Sequence, residues 1–287
     1  MKPFQKVIKY GAMAFAIYLA VMIISIIIFG LTAIFGIGVG IEKISNNIGN
    51  STNNKELLTY TEEYTGIESL DIDLSKSGLE IKTGDSFKVE FINVSKDLST
   101  KLNDSGKELK IEDETLKLFE NVNSESKIIV YIPNDYELRS VKLDLVGVSG
   151  AYIEGFKAEK LEVDVGAGKY EINNVQVTTA EVDSGAGETY INNSTFDNLE
   201  FNAGVGQVTI NCKVINKGEI ESGVGNLIVN LIGTKDNYKV RAETGIGNLT
   251  VDGNKARDGE IIGNGSTNIN VEAGIGETAI NFVEETI

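Results

Sequence analysis

The 287-residue chain contains no histidine, no tryptophan, two prolines and a single cysteine, Cys212. One cysteine excludes an intramolecular disulfide framework and any zinc site built on cysteine. Without histidine, the Ser-His-Asp and Cys-His catalytic arrangements and histidine-ligated metals are impossible. Cys212 alternates with the apolar Ile210, which predicts a packed small hydrophobe rather than a nucleophile. Any catalytic activity would therefore have to use carboxylates, lysine, tyrosine or a bound cation.

Positive charge is also scarce. The formal net charge is −16, and residues 1–41 hold three lysines and no acid, which leaves −19 on the rest of the chain. A surface this acidic repels nucleic acid and anionic lipid headgroups. We therefore expect no nucleic-acid partner.

One pattern recurs through the second half of the chain, a Gly-x-Gly pair between two strand-like segments. The pairs with a constant step of 19 residues are Gly166/Gly168, Gly185/Gly187, Gly204/Gly206 and Gly223/Gly225. Looser copies are centred on Gly245/Gly247 and Gly274/Gly276, and Gly147 marks a degenerate copy before them. Self-similarity at a short fixed period indicates a repeat architecture.

Within each copy, apolar and polar residues alternate, as Leu161 and Val163 do with Glu162 and Asp164. A period of two, cut by glycine, predicts short half-buried strands and not helices. Because the step is constant, apolar columns align when copies stack in parallel about 4.8 Å apart. We predict an all-β chain whose residues 146–287 form a single-stack β-solenoid with rungs of 19 residues.

The glycine pairs have two interpretations. A dinucleotide-binding fingerprint needs Gly-x-Gly-x-x-Gly at the start of a helix, whereas these pairs lie between strands. We interpret them as corners where the backbone adopts a positive φ or approaches its neighbour closely. We expect Gly185 and Gly204 to occupy such strained positions.

The N-terminal segment predicts a membrane anchor. Residues Tyr10–Ile41 contain no charged residue, which exceeds the roughly 20 residues needed to cross a bilayer. A cleaved signal peptide is the alternative, but its apolar core would be shorter. Lys2, Lys6 and Lys9 precede the apolar run, so the positive-inside rule predicts a single-pass protein of the cell membrane with a cytoplasmic N-terminus and an extracytoplasmic C-terminal domain. The bilayer would contact residues 10–41.

Three further segments complete the predicted organisation. Residues 1–41 form the cytoplasmic tail and anchor, and residues 42–64 a polar tether that ends in a short helix around Lys55–Glu63. Residues 65–145 form an N-terminal β cap and the first irregular rungs. The turn residues that predict hairpins in this segment are Lys76–Gly78, Asn103–Gly106 and Asn121–Ser126.

A polar and mostly acidic residue recurs two positions before the first glycine of each copy. In chain order the residues are Asp164, Asp183, Asn202, Glu221, Glu243 and Glu272. In a parallel stack they would form one column with neighbours about 5 Å apart. We favour a solvated acidic face, and binding of a cation such as calcium is the alternative. No catalytic, cofactor-binding or metal-binding residue is assigned.

The C-terminal copy, Val271–Ile287, runs directly into the end of the sequence. We expect the tail Phe282–Ile287 to fold across the open end of the stack as a small cap. The alternative is an uncovered β-edge, which would favour end-to-end self-association of two copies.

The Gly-x-Gly rungs, the lead-in Lys127–Leu145 and the single N-terminal anchor resemble a bacterial family of unknown function whose members are labelled "putative adhesin". The resemblance covers roughly residues 65–287. It implies a fold of β-strand repeats and provides no catalytic motif.

These observations favour a membrane-anchored extracytoplasmic scaffold or binding module of the bacterial cell envelope, whose partner is an envelope protein or polymer. The alternative is an accessory of a cell-envelope stress response that acts through a membrane partner. A third possibility, a carbohydrate-active enzyme, would need acids grafted on a long loop. The insertion Gly253–Asn268, with Lys255, Arg257, Asp258 and Glu260, is better interpreted as a solvated loop, so we expect no enzyme.

Overall fold

The computed structural model describes residues 57–113, 126–146, 148 and 150–284, and every regular element in them is a β-strand. The strands are β1 (Leu57–Glu63), β2 (Ser69–Asp73), β3 (Gly78–Gly84), β4 (Lys88–Ser95), β5 (Ser99–Leu102), β6 (Glu108–Glu112), β7 (Lys127–Pro133), β8 (Glu137–Leu145), β9 (Gly150–Glu154), β10 (Lys157–Asn173), β11 (Gln176–Ile232), β12 (Tyr238–Val251), β13 (Asn254–Lys255), β14 (Ile261–Ile262) and β15 (Thr267–Val283). All fifteen belong to one hydrogen-bonded sheet. The all-β prediction is confirmed.

The predicted anchor at residues 10–41 lies outside the described residues, as does the tether up to residue 56. The described part of the chain contains no helix of the length and apolarity that a bilayer span requires.

Each rung consists of a strand, a glycine corner and a second strand, and neighbouring rungs pair in parallel register. Leu161 of β10 lies opposite Ala180 of β11, and Ile172 lies opposite Ile191. The constant step of the sequence therefore appears as a constant register. β11 carries three successive rungs as one continuous strand of 57 residues, so the corners bend the strand without interrupting its hydrogen bonds.

The apolar side chains from both arms of each rung form one continuous core. In β10, Leu161 and Val163 before the corner and Ile172 after it are almost completely buried in the same cluster. The hydroxyl of Tyr170, also in that cluster, donates a 2.6 Å hydrogen bond to the carbonyl of Val148. The apolar residues of the alternating pattern thus face the core of every rung, and the polar residues face outward.

The order of rungs at the C-terminal end differs from the order of the sequence. β15 lies between β11 and β12, since Glu272 pairs with Glu221 on one side and with Glu243 on the other. Phe282 pairs with Leu231 inside the stack. The prediction that the last copy ends the stack, with Phe282 and the following residues as its cap, is therefore wrong; residues 285–287 lie outside the described chain.

The insertion between β12 and β15 covers the outermost rung instead. β13 and β14 pair antiparallel with β12, and the Asp258 carboxylate accepts a 2.6 Å hydrogen bond from the Thr244 amide. β12 and β15 share one pattern of apolar, acidic and glycine positions. Either strand could therefore pair with the last rung of β11. The insertion then returns along the edge of β12 and pairs with its backbone near both ends of the strand. Its charged residues are exposed, as expected for a solvated loop.

A similar exchange occurs at the N-terminal end. β2 and β3 lie between the rung of β8 and β9 and the rung of β6 and β7. Antiparallel strands extend this end, with β4 beside β7, β1 beside β4, and β5 beside β6.

Two of the local predictions in this region are wrong, and one is confirmed. The turn at Asn103–Gly106 joins β5 and β6 in an antiparallel hairpin, as predicted. Lys76–Gly78 is a rung corner and not a hairpin, since β2 and β3 do not pair with each other. The predicted helix at Lys55–Glu63 is wrong because β1 occupies Leu57–Glu63, where Tyr60 stacks on Phe91 at 4.6 Å. The third predicted turn lies almost entirely outside the described residues.

Candidate functional site

The glycine corners set the spacing of everything on the surface. The second glycine of each pair has a positive φ, for example 128° at Gly187 and 148° at Gly206. The first glycines do not, but a Cβ on Gly204 would lie 2.4 Å from the carbonyl oxygen of Gly185. At Gly185 and Gly204 the expected close approach is therefore confirmed, but a positive φ there is wrong. Positive φ occurs instead at the second glycine of each pair, where the close approach occurs as well. Neighbouring rungs contact backbone to backbone, which no other residue permits.

The predicted acidic column exists, in a different order and with more members. From the N-terminal end it runs Glu112, Asp73, Asp144, Asp164, Asp183, Asn202, Glu221, Glu272 and Glu243. Glu272 precedes Glu243 because β15 is inserted. The three additional acids at the start lie in the irregular rungs, where no glycine pair marked the position in the sequence.

Neighbouring carboxylates in this column disturb each other. Burial and the charges of Asp144 and Asp183 raise the pKa of Asp164 above its ordinary value. Burial and the charges of nearby acids, Asp144 first among them, likewise raise the pKa of Asp73. Asn202 reduces the charge repulsion at one rung, because it is neutral and its amide donates a 2.8 Å hydrogen bond to the Asp183 carboxylate.

A second acidic column, which sequence analysis missed, lies beside the first on the same outer face. Its members are Glu162, Glu181, Glu200 and Glu219, two residues before those of the first column. Lys160 pairs with Glu162, and Lys217 pairs with Glu219 at 2.6 Å. The sequence contains the signal for this column, because its four glutamates are also spaced by 19 residues.

A groove of about 500 Å³ lies at the C-terminal end of the first column. Four acidic residues line it, Glu221, Glu272, Glu243 and Asp258. The lining also includes small residues at the corners, such as Gly223 and the neighbouring serine and alanine residues. The groove exists because these corners lack side-chain volume.

The residue between the two glycines points outward at every corner and forms an apolar row, which we call the crest. In stack order the crest consists of Ala167, Ala186, Val205, Val224, Ile275 and Ile246. Its side chains grow toward the C-terminal end, where Ile275 and Ile246 are 43% and 58% exposed. The crest runs directly beside the first acidic column.

The opposite arm carries a ladder of asparagines that sequence analysis also missed. Its members, each bonded to the next by a side-chain amide, are Asn173, Asn192, Asn211, Asn230 and Asn281. The amide of Asn211 donates to the oxygen of Asn192 at 2.9 Å, and Asn281 donates to Asn230 at 2.8 Å. The constant spacing of Asn173, Asn192, Asn211 and Asn230 was visible in the sequence.

Cys212 is fully buried, and burial raises the pKa of its thiol to about 12. The prediction of a packed hydrophobe is confirmed. Within the described ranges, three or more acidic or cysteine side chains nowhere come together as a set of metal ligands. The calcium alternative for the acidic column thus gains no support from side-chain geometry.

Comparison with solved structures finds matches at low identity. A "putative cell adhesion protein" from Clostridium sporogenes is 18% identical, with a TM-score of 0.36 over 80% of this chain and 100% of that one. A "putative lipid binding protein" from Parabacteroides distasonis is 17% identical, with a TM-score of 0.42 over 80% and 98%. A "putative adhesin" from Bacteroides fragilis is 11% identical, with a TM-score of 0.31 over the same shares. At these values the likeness says nothing about function.

None of the curated proteins matches the chain. A family model does: the Toastrack DUF4097 model matches residues 67–274, which include the irregular rungs and nearly all of the regular ones. The match covers well over half of the sequence and agrees with the β-strand repeats seen in the fold. The chain belongs to the Toastrack DUF4097 family.

Proposed function

We propose that the chain is a membrane-anchored extracytoplasmic binding module of the bacterial cell envelope and not an enzyme. The observation that carries this proposal is the strict register of the outward columns. Side chains repeated on successive rungs form a long surface that is fixed before any partner arrives. Repeat proteins use such extended surfaces for binding, and a preorganised surface loses little conformational entropy on association.

The chemistry of the surface agrees with binding rather than catalysis. The outward face offers two acidic columns and the crest, while the opposite arm offers the asparagine ladder. These are long rows of one kind of group, suited to contact with an extended partner. Catalytic sites instead bring different groups together at one point.

The cellular location rests on the sequence. The apolar run Tyr10–Ile41 and the lysines before it favour an anchor with the β-domain outside the cytoplasm. An acidic domain there would be kept off the anionic membrane surface by its charge.

Photo-crosslinking in living cells tests the proposal. A photoreactive amino acid is placed at Glu200 or Val205, both outward on the regular rungs, and at Asp104 in the β5–β6 hairpin as a control. We expect the two outward positions to capture the same envelope protein or polymer, and the control position not to capture it. Crosslinks to cytoplasmic proteins alone, or capture that is equal at all three positions, would contradict the proposal. A captured integral membrane protein would favour the regulatory alternative over a scaffold.

A further inference from the structure

The C-terminal half of the crest is a contiguous apolar row in which Ile275 and Ile246 are exposed and Val224 is half-buried. Val224, Ile275 and Ile246 occupy three successive rungs. The glycines on either side carry no side chains, so the isoleucines stand clear of the surface. Single exposed apolar residues are ordinary, but a contiguous row beside polar residues marks a contact surface.

The charges beside this row decide which partner fits it. Glu221, Glu272 and Glu243 run parallel to the crest, and Asp258 lines the same groove as these three residues. Arg241 pairs with Glu243, but among the described residues no lysine or arginine pairs with Glu221 or Glu272. A second copy of this chain, nucleic acid and anionic lipid would all bring charge of the same sign. The partner that complements both features is apolar along one line and cationic beside it.

The spacing of the rungs selects the conformation of that partner. Rungs are about 4.8 Å apart, whereas side chains on one face of an extended strand repeat every 6.5 Å or so. Along one face of an α-helix, each turn advances about 5.4 Å, so over the three crest positions its side chains drift from the rungs by only about 1.2 Å. A helix lying along the stack would therefore place one apolar residue on each crest position.

We infer that the crest and the adjacent acidic column bind a lysine-rich amphipathic helix of a partner protein. Its apolar stripe packs on Val224, Ile275 and Ile246, and its ammonium groups lie along Glu221 and Glu272, with one in the groove. This inference rests on the proposed binding function and specifies the chemistry of the partner.

The test uses the full-length chain and a fluorescent helical peptide of leucine and lysine, about five turns long, with its leucines on one face. Binding is followed by fluorescence anisotropy at low and high salt. One variant removes the crest, Ile275→Ser with Ile246→Ser, and its control is Ile228→Ser on the other arm, where Ile228 is 39% exposed. Another neutralises the column, Glu221→Gln, Glu272→Gln and Glu243→Gln. Its control removes equal charge elsewhere, with Asp104→Asn, Glu137→Gln and Asp236→Asn. Circular dichroism confirms that each variant is folded.

We expect the crest and column variants each to bind at least about tenfold more weakly, and the controls to bind like the parent chain. A peptide of the same composition in scrambled order, and one with glutamate in place of lysine, should bind no better than the variants. Equal weakening by the column variant and its charge control would overturn the inference, because binding would then follow net charge alone. Unchanged binding of the crest variant would overturn it as well. A chain that captures a partner in cells but fails this test retains the proposed function and loses only the helix.

Discussion

A Cβ atom on Gly206 would lie 1.9 Å from the carbonyl oxygen of Gly187 on the neighbouring rung. The same relationship recurs between successive second glycines along the stack, with 2.0 Å for Gly187 against Gly168 and 1.7 Å for Gly225 against Gly206. Because each of these glycines also has a positive φ, the corner demands glycine for two independent reasons. Any other residue at this position would clash with the neighbouring rung and would also strain its own backbone, so the rungs could not reach sheet spacing at the corner.

Alanine substitutions separate these two reasons. Gly206→Ala should lower the free energy of unfolding by about 3 kcal/mol or more, since backbone strain adds to overpacking against a backbone that cannot move aside. Gly204→Ala meets the close approach alone and should cost about 1–3 kcal/mol. Gly106→Ala is the control, with a φ of 71° and nothing within 4 Å of its Cβ, and should cost about 1 kcal/mol. Urea unfolding measures all three, and equal losses would refute the assignment.

The acidic column should make stability depend on pH through Asp164. Its pKa is raised in the folded state, so the native chain holds this proton more tightly than the unfolded chain does. Stability from this group is therefore greatest below its unfolded pKa, about 3.9, and is lost as pH rises through the raised folded pKa. The variant Asp164→Asn should be more stable than the parent chain at neutral pH, and this advantage should shrink toward pH 3.

Thermal unfolding from pH 3 to pH 7 measures the difference between the two chains. Glu159→Gln, at an exposed position outside the column, serves as the control. An advantage of Asp164→Asn that stays constant with pH would show that the pKa of Asp164 is not raised in the folded chain.

The repeat made most of the fold predictable, because one constant step determines strands, corners and register together. Residues such as Val163 and Val182 are buried where alternation places them, and the acidic column follows from the same step. The order of the last two rungs was not predictable. β12 and β15 present equivalent columns to β11, so local pattern is the same for either order. Only the path of the insertion after Val251, which covers the outer edge, distinguishes them.

The helix predicted near Lys55–Glu63 was wrong for a related reason. Its local composition is compatible with a helix, but β4 offers a free edge and Phe91 offers an aromatic face to Tyr60. Tertiary pairing overrides weak local preference. The binding surface could not be predicted from the sequence for the same reason. Its rows of like side chains form only when the rungs stack, and the order of the rungs depends on tertiary pairing.

The asparagine ladder should stabilise the stack through its side-chain amides. Asn211 donates to Asn192 and accepts from Asn230, so Asn211→Ala removes two hydrogen bonds and leaves unpaired groups on both neighbours. We expect a loss of about 1–3 kcal/mol in the free energy of unfolding. Asn226→Ala, an exposed asparagine outside the ladder, is the matched control and should change stability by less than about 0.5 kcal/mol. Similar losses in both variants would mean that the ladder contributes nothing specific.

The order of the C-terminal rungs can be read by disulfide crosslinking. Neighbouring rungs place paired Cα atoms about 4.8 Å apart, within the range that a disulfide spans, whereas rungs two apart exceed it. In a Cys212→Ala background, cysteines at positions 221 and 272, or at 272 and 243, should therefore crosslink on mild oxidation. Cysteines at 221 and 243 should not, because β15 lies between them. Stacking in the order of the sequence gives a different result, with 221 joined to 243 and not to 272. Peptide mapping by mass spectrometry under non-reducing conditions distinguishes the two orders, and a disulfide between positions 221 and 243 alone would show that β15 is not inserted between β11 and β12.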